Sequence, residues 1–475
     1  MTTSVRPPGP DLSRLAALRA FRKDPLGLLE LLAAYGDVVR IDVPGSAAYL
    51  LNHPDLVHEV LVAEHRSFHK GPTIQAAKML LGESLLTSED EIHRRQRRLI
   101  QPMFHHERIA SYAASMVRFA ERAADRWSDG EEIGLQAEMA ALTLAVVGDT
   151  LFGTDVDERR SATVRRALTD TLGMFDRVYS PLFRLLVRLP SPTMRRYRRV
   201  ESDLNRVIAE MIAERRETGA TGDDLLSLLL RAREGGAGMS DEQVRDEALT
   251  LFLAGHETTA IALTWTWWLL SQNPEAEARL HAELDATLSG RALSIADLPN
   301  LTYTQAVVSE SLRIRPPAWA IGRTAVADHR AGDVRVGAGS IVVVSPWLLH
   351  HDPRWWPEPE VFRPERWLAD ATERPRHAFI PFGGGPRVCI GEPFARLEAA
   401  ILLATIARRW RFASRSDRVP EMQAVITLRA AGCRWSRSAA DPGAPTRRRR
   451  THARPEPRAA AGTRRVRGRC PGAAG

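Results

Sequence analysis

The sequence predicts a mainly α-helical protein with a small β region, and three observations carry that prediction. Apolar residues recur at spacings of three and four from Pro54 to about Asn273, the period of a helix with one buried face. A helix start at Ser240 is followed by about 32 residues without a breaker, until Asn273-Pro274. Runs of β type are short and sit towards the two ends, at Val38 to Val43, Tyr49 to Asn52, Val334 to Val344 and Ala424 to Leu428.

The helical reading rests on particular residues. Leu204, Val207, Ile208, Met211 and Ile212 mark one apolar stripe, and Leu225, Leu226, Leu228, Leu229 and Leu230 mark another. Ser240 with Gln243 three residues later fits a capping box, in which each side chain satisfies the other residue's backbone N–H. The helix it opens would be roughly 48 Å long. Such a helix must cross most of a 440-residue globule through its core. No Gly/Ser linker and no internal repeat interrupts residues 1–440, so they are expected to form one domain, and 441–475 a disordered tail.

Composition excludes several classes. With 475 residues, 44 % of them hydrophobic, and three cysteines, the chain is no disulfide miniprotein, coiled coil or disordered protein. The net charge of +8 is local: residues 441–475 hold ten arginines and two acids, which leaves 56 bases and 56 acids before them. A neutral body argues against nucleic acid as the partner. The tail, with Arg447 to Arg450 in a row, reads either as a solvated or out-of-frame extension or as a surface for nucleic acid or anionic lipid. No run reaches the roughly 18–20 apolar residues of a membrane span, and charges from Arg6 to Asp24 break up the N-terminus. No membrane anchor and a cytoplasmic location are expected; Cys389, Cys433 and Cys470 are odd in number and far apart, which suits a reducing compartment.

One cysteine has a chemical setting. Phe382-Gly383-Gly384-Gly385-Pro386-Arg387-Val388-Cys389-Ile390-Gly391 forms a tight loop that delivers Cys389 to the start of a helix. There the unpaired N–H groups favour a thiolate, which serves either as a nucleophile or as an axial ligand to iron. A second constellation, Ala254-Gly255-His256-Glu257-Thr258-Thr259, lies mid-way along the long helix. Small Ala254 and Gly255 leave space beside the helix axis. The threonine hydroxyl can bond back to the carbonyl four residues earlier, and an acid beside an alcohol can relay protons. His256-Glu257 opens like the zinc motif H-E-x-x-H, but the fifth position is Ala260, so that metal reading fails. Glu310 and Arg313 share one helix face before Pro316-Pro317, a geometry for a bidentate ion pair, and Pro364-Glu365-Arg366-Trp367 follows.

In this order and spacing, these motifs resemble those of the soluble bacterial cytochromes P450, over roughly residues 25–435. The haem loop F-x-x-G-x-R-x-C-x-G of that family falls on Phe382, Gly385, Arg387, Cys389 and Gly391, and its oxygen motif on Ala254 to Thr259. Its P-E-R-F segment has Trp367 in place of Phe. The resemblance implies the cytochrome P450 fold, with a long central oxygen-binding helix and the cysteine loop before a C-terminal helix. It implies haem b held by the Cys389 thiolate, Thr258 at dioxygen, Glu257 delivering protons, and Glu310, Arg313 and Arg366 as a buried structural network. Haem propionates would meet His93, Arg97, Arg323 and Arg387; tryptophan is common in the family at the position of His93. Arg94, Arg95 and Arg98 would face solvent, either as an ordinary basic face or as an attraction for an acidic electron donor.

The implied activity is a monooxygenase that uses O2 to hydroxylate or epoxidise an apolar small molecule, terpenoid or fatty-acyl-like. A pocket by analogy runs over Thr73 to Leu81, Leu172 to Leu186, Phe252, Ala318 to Ile321 and Val425-Ile426. The implied partners are a ferredoxin with its ferredoxin reductase, or a flavodoxin, so that NAD(P)H acts only indirectly, and the expected enzyme is a monomer. Two other readings stay open: a haem-thiolate enzyme that is peroxide-driven, an isomerase or a C–C coupling catalyst, and a binding protein acting through the basic tail.

Overall fold

A computed structural model describes residues 7–153, 192–217, 219, 222, 224–234, 237–368, 373–414, 419–431 and 435–440. The chain divides into two compact units, Met1–Pro442 and Gly443–Gly475, and every described residue belongs to the first. The arginine-rich tail, Cys433, Cys470 and the pocket segment Leu172 to Leu186 lie outside the described residues.

The long helix runs Asp241–Gln272, as its start and stop signals predict. Ser240 Oγ accepts from the Gln243 amide at 3.2 Å, and Gln243 Oε1 accepts from the Ser240 amide at 3.1 Å, so the capping box is closed in both directions. From Ala260 to Leu270 every residue is buried, which is the burial of a helix that passes through a core. Its main neighbour is helix Leu135–Phe152. The two are tied by Thr143 Oγ1, which donates to the His256 carbonyl at 2.9 Å, and by Phe152 and Phe252, whose rings meet edge to face at 5.2 Å. Leu135–Phe152 is by length and composition apolar enough to cross a membrane, although Glu138 and Asp149 interrupt its apolar run. Its apolar residues are spent on this packing, since most of it is buried against protein.

A five-stranded sheet lies apart from the helical core, in the order Val38–Val43, Ser46–Leu51, Ile341–Val344, Ile321–Ala325, Phe68–Lys70. Ser46–Leu51 and Ile341–Val344 pair in parallel; the other neighbours are antiparallel. This brings Lys70 opposite Arg323. Two β-type runs resolve differently from their expected form. Val334 to Val344 is two strands, Val334–Val336 and Ile341–Val344, separated by the turn at Gly337 to Ser340. Ala424 to Leu428 is the tip of a hairpin, whose arms are Glu421–Ala424 and Leu428–Ala431. β-branched residues read as strand by propensity, and here the chain reversal overrides it.

Three buried histidines make the fold acid-sensitive. His350 Nε2 accepts from the Ile380 amide at 3.0 Å while Nδ1 lies 3.2 Å from the Arg313 carbonyl, an arrangement that only the neutral ring satisfies. Burial drives its pKa well below the usual histidine value, and burial likewise brings His351 to about 3 and His281 to about 4. Their folded pKa values lie below the unfolded value near 6.5, so the unfolded chain binds more protons and stability falls as pH drops below that point. Urea unfolding at pH 5 should show about 2 kcal/mol less stability than at pH 7 for each of these histidines.

Candidate active site

The cysteine loop is shaped by two residues in the left-handed region, Gly383 at φ 78° and Gly385 at φ 67°. At Gly385 a Cβ would also collide with the Leu61 carbonyl. The Cys389 amide donates to the Phe382 carbonyl at 3.0 Å, closing the loop, and Gly391 caps helix Glu392–Ala407. Burial raises the Cys389 thiol pKa against the lowering effect of the Gly391 and Glu392 backbone N–H groups and of Arg97. The helix terminus thus favours the anion while burial opposes it, and a metal at the sulfur would tip that balance to the thiolate. Desolvation of an anion outweighs two hydrogen bonds.

Although deep among protein atoms, Cys389 is exposed, so it fronts an internal space. Ala254 is likewise exposed in the middle of the long helix, between buried Phe252 and buried His256. Charge and hydrogen bonds link the two walls of that space. The field of Arg97 acts on both the sulfur and His93, that of Lys70 acts on His93, and Lys70 binds the carbonyl of Leu85, whose amide rests on Glu247 of the long helix. On the other side Glu398, in the helix that follows the sulfur, lies beside Thr259.

The electrostatics of this site are unbalanced. Lys70, Arg97, Arg323 and Arg387 cluster with His93 near two carboxylates, Glu89 and Glu247, and Glu89 accepts from Arg387 Nη2 at 2.7 Å, Gln75 Nε2 at 3.0 Å and the Lys70 amide at 2.5 Å. Burial pulls Arg323 down to about 10 and Lys70 down to about 7, the signature of cations short of counter-charge. His93 falls to about 3 through burial and these neighbours. Carboxylates placed beside it would raise that value again. Arg387 spends its donors on the His65 and Phe68 carbonyls and on Glu89, and Arg97 braces the Val388 carbonyl at 2.8 Å. A sulfur ligand beside surplus buried positive charge fits a group with two carboxylates and a metal that draws the proton off the thiol. Haem has that donor requirement.

The oxygen motif is partly as expected. Thr258 Oγ1 donates to the Ala254 carbonyl at 3.0 Å, but Thr259, Thr264 and Thr266 make the same bond one turn back, so it is a habit of this helix. Gly255 does not leave open space: a Cβ there would stand 3.2 Å from Val147, so the glycine permits close approach of helix Leu135–Phe152. Glu257 is not a free acid. Its Oε1 accepts from Thr427 Oγ1 at 2.9 Å and from Arg429 Nη2 at 2.6 Å, tying the helix to the hairpin. Phe252 is buried in the core against Phe152, away from the position a pocket residue would take.

The Glu310 network is fully closed. Arg313 pairs with Glu310 in a bidentate fork at 2.8 and 3.0 Å with both side chains 0 % exposed, and Arg366 Nε adds 3.3 Å. The residue that sequence matching treated as a departure, Trp367, donates its Nε1–H to Glu310 Oε2 at 2.9 Å. A Trp367→Phe protein should lose about 1.5 kcal/mol of stability, read by urea unfolding, since a donor to a buried carboxylate disappears. Phe382 lies under the Arg396 guanidinium at 5.0 Å. Arg94 and Arg98 are exposed and share Glu91, whereas Arg95 is half-buried and donates to the Gly238 carbonyl at 3.2 Å.

Sequence reasoning missed Lys70, Glu89, Glu247 and Arg429, and the bond that Trp367 makes to Glu310. Lys70 carried a usable signal: a lysine is rare in this chain and this one ends a β-type Phe-His-Lys run.

The family model for cytochrome P450 matches residues 7–431. The cyclooctat-9-en-7-ol 5-monooxygenase of Streptomyces melanosporofaciens is 43 % identical over 82 % of this chain and 86 % of its own length. Cyclooctatin synthase of the same organism is 43 % identical over 86 % of this chain and 89 % of its own. Pentalenene oxygenase of Streptomyces avermitilis is 37 % identical over 83 % and 88 %.

Proposed function

This chain belongs to the cytochrome P450 family of monooxygenases, and from that premise we propose that it inserts one oxygen atom of O2 into a terpenoid hydrocarbon lying against Leu86, Ala254 and Thr258. The observation that carries the reading is an exposed loop cysteine set deep among protein atoms beside buried cations that outnumber the carboxylates Glu89 and Glu247. Cys389 would hold the haem iron, and Lys70, Arg97, Arg323 and His93 would meet its two carboxylates. When bound, haem supplies the iron at which dioxygen is reduced, with thiolate electron donation favouring O–O cleavage.

The remaining work falls to side chains of this protein. Ala254 is the smallest side chain that keeps the helix regular, and it leaves room over the site. The Thr258 hydroxyl spends its proton on Ala254, so its lone pairs can accept a hydrogen bond from a water that carries a proton inward. Glu257 accepts and donates protons only as its hold on Arg429 and Thr427 loosens, which couples proton supply to the hairpin. Reduction of one oxygen atom to water takes two electrons and two protons. The electrons come from a separate redox partner, and we assign that role to a ferredoxin served by a NAD(P)H-dependent reductase.

The substrate class follows the relatives' names, which specify an alkenol and an alkene, hydrocarbon frameworks with little to hydrogen-bond. Exposed Leu86 and half-buried Ile321 and Val425 suit such a framework. The test pairs two measurements. The reduced protein under carbon monoxide should show the red-shifted Soret band of a thiolate-ligated haem. A Thr258→Ala protein should keep that band yet yield several-fold less product per O2 consumed. Product formation undiminished in Thr258→Ala would remove the hydroxyl from the reaction.

A further inference from the structure

Two histidines face each other at the surface with their ring nitrogens unspent. His58 ends helix Pro54–His58 and is exposed, and His377 lies half-buried in the turn Arg376–Ala378. Their rings stand 5.0 Å apart, centroid to centroid, with the planes inclined at 56°. Neither ring makes a hydrogen bond or ion pair to a described residue, whereas His53, His65 and His69 each engage a neighbour: the Asp55 amide, the Val62 carbonyl and Asp90. The backbone holds both rings in place. The Asp55 amide donates to His53 Nδ1 at 3.2 Å, which caps the helix of His58. Beside His377, the Ala378 carbonyl accepts from Trp356 Nε1 at 3.3 Å and the Ile380 amide donates to His350 Nε2 at 3.0 Å.

With a metal–nitrogen bond of about 2.1 Å and a ring centroid about 1.2 Å beyond the nitrogen, two imidazoles at a tetrahedral angle hold their centroids about 5 Å apart. The two rings already have that separation. Imidazole is a ligand for zinc, copper and nickel, and a solvent-facing pair leaves the entry path open. We propose that His58 and His377 bind a divalent transition-metal ion such as Zn2+, which ties helix Pro54–His58 to the chain entering the cysteine loop. Among the described residues no group of three or more His, Cys, Asp or Glu side chains is gathered for a metal, so the protein supplies two ligands and water the others. The field at the pair is mixed: Asp55, three residues before His58 and on its helix face, favours a cation at His377, and Arg376 opposes it. The site is therefore an exchangeable one that follows the metal supply, unlike a closed four-ligand centre. Its place gives it leverage. A Cβ at Gly384 would stand 3.6 Å from Leu61, one turn after His58, and 4.0 Å from the His377 ring, so the bridge fastens both parts of the wall on which the glycine loop rests. The site goes beyond the haem-thiolate reading, and only its bracing of bound haem rests on that reading.

The test titrates Zn2+ into the haem-loaded full chain by calorimetry, with thermal unfolding followed in the same buffer. His58→Ala and His377→Ala should each weaken one and the same site at least tenfold in Kd, and the double variant should bind within twofold of either single one. Saturating Zn2+ should raise the apparent Tm of the unaltered protein by about 2 °C and leave both variants unmoved. His69→Ala, which removes the His69–Asp90 pair instead, should keep both responses. A Zn2+ isotherm unchanged in either His58→Ala or His377→Ala overturns the site. Haem loss to excess apomyoglobin should slow at least twofold with Zn2+ in the unaltered protein and in neither variant, and equal rates with and without Zn2+ overturn the brace. Failure of the haem-thiolate reading is separate: it appears as a missing red-shifted Soret band in the unaltered protein before any metal is added.

Discussion

A Cys389→Ser protein should lose the red-shifted Soret band of its reduced carbon monoxide complex and lose product formation with it. The substitution replaces sulfur with oxygen in a loop whose shape is set by Gly383, Gly385 and the Cys389 amide bond to Phe382, none of which involves the side chain. The fold should therefore persist, with an unaltered far-ultraviolet circular dichroism spectrum. Activity should fall by more than the roughly 10–100-fold loss that removing an outer partner of a metal ligand produces, because the ligand itself is gone. Burial already works against an anion at this position, and a serine hydroxyl is far harder to deprotonate than a thiol. A protein that kept both spectrum and turnover would show that another group binds the iron.

Glu310→Ala should be the most destabilising single change in the body of the protein, at about 3–5 kcal/mol by urea unfolding. Five donors converge on that carboxylate: the two of the Arg313 fork, Arg366 Nε, the Arg363 amide at 3.0 Å and Trp367 Nε1. Removing it leaves Arg313, 0 % exposed, as a buried cation between the His350 carbonyl and Trp356. Haem content of the purified protein should fall with stability, since the sheet and the cysteine loop both lean on this helix through His350 and Ile380. Glu310→Gln should recover part of the loss by keeping two acceptor directions. A Glu310→Ala protein as stable as its parent would make the network ornamental.

The sequence by itself determined what neighbours along the chain decide. The capping box at Ser240 and Gln243, the helix to Gln272, the glycine-bent cysteine loop and the Glu310–Arg313 fork are each set within a few residues, where spacing fixes geometry. Tertiary structure alone decided which groups share a charge environment. Lys70 meets Leu85 and Glu89, Glu257 meets Arg429, and Glu247 meets Leu85 across long chain separations. It also set burial against the helix terminus at Cys389 and filled the space beside Gly255 with Val147. The physical reason is that hydrogen-bond geometry is local, whereas desolvation depends on everything packed around a group, and no window of sequence contains that surrounding.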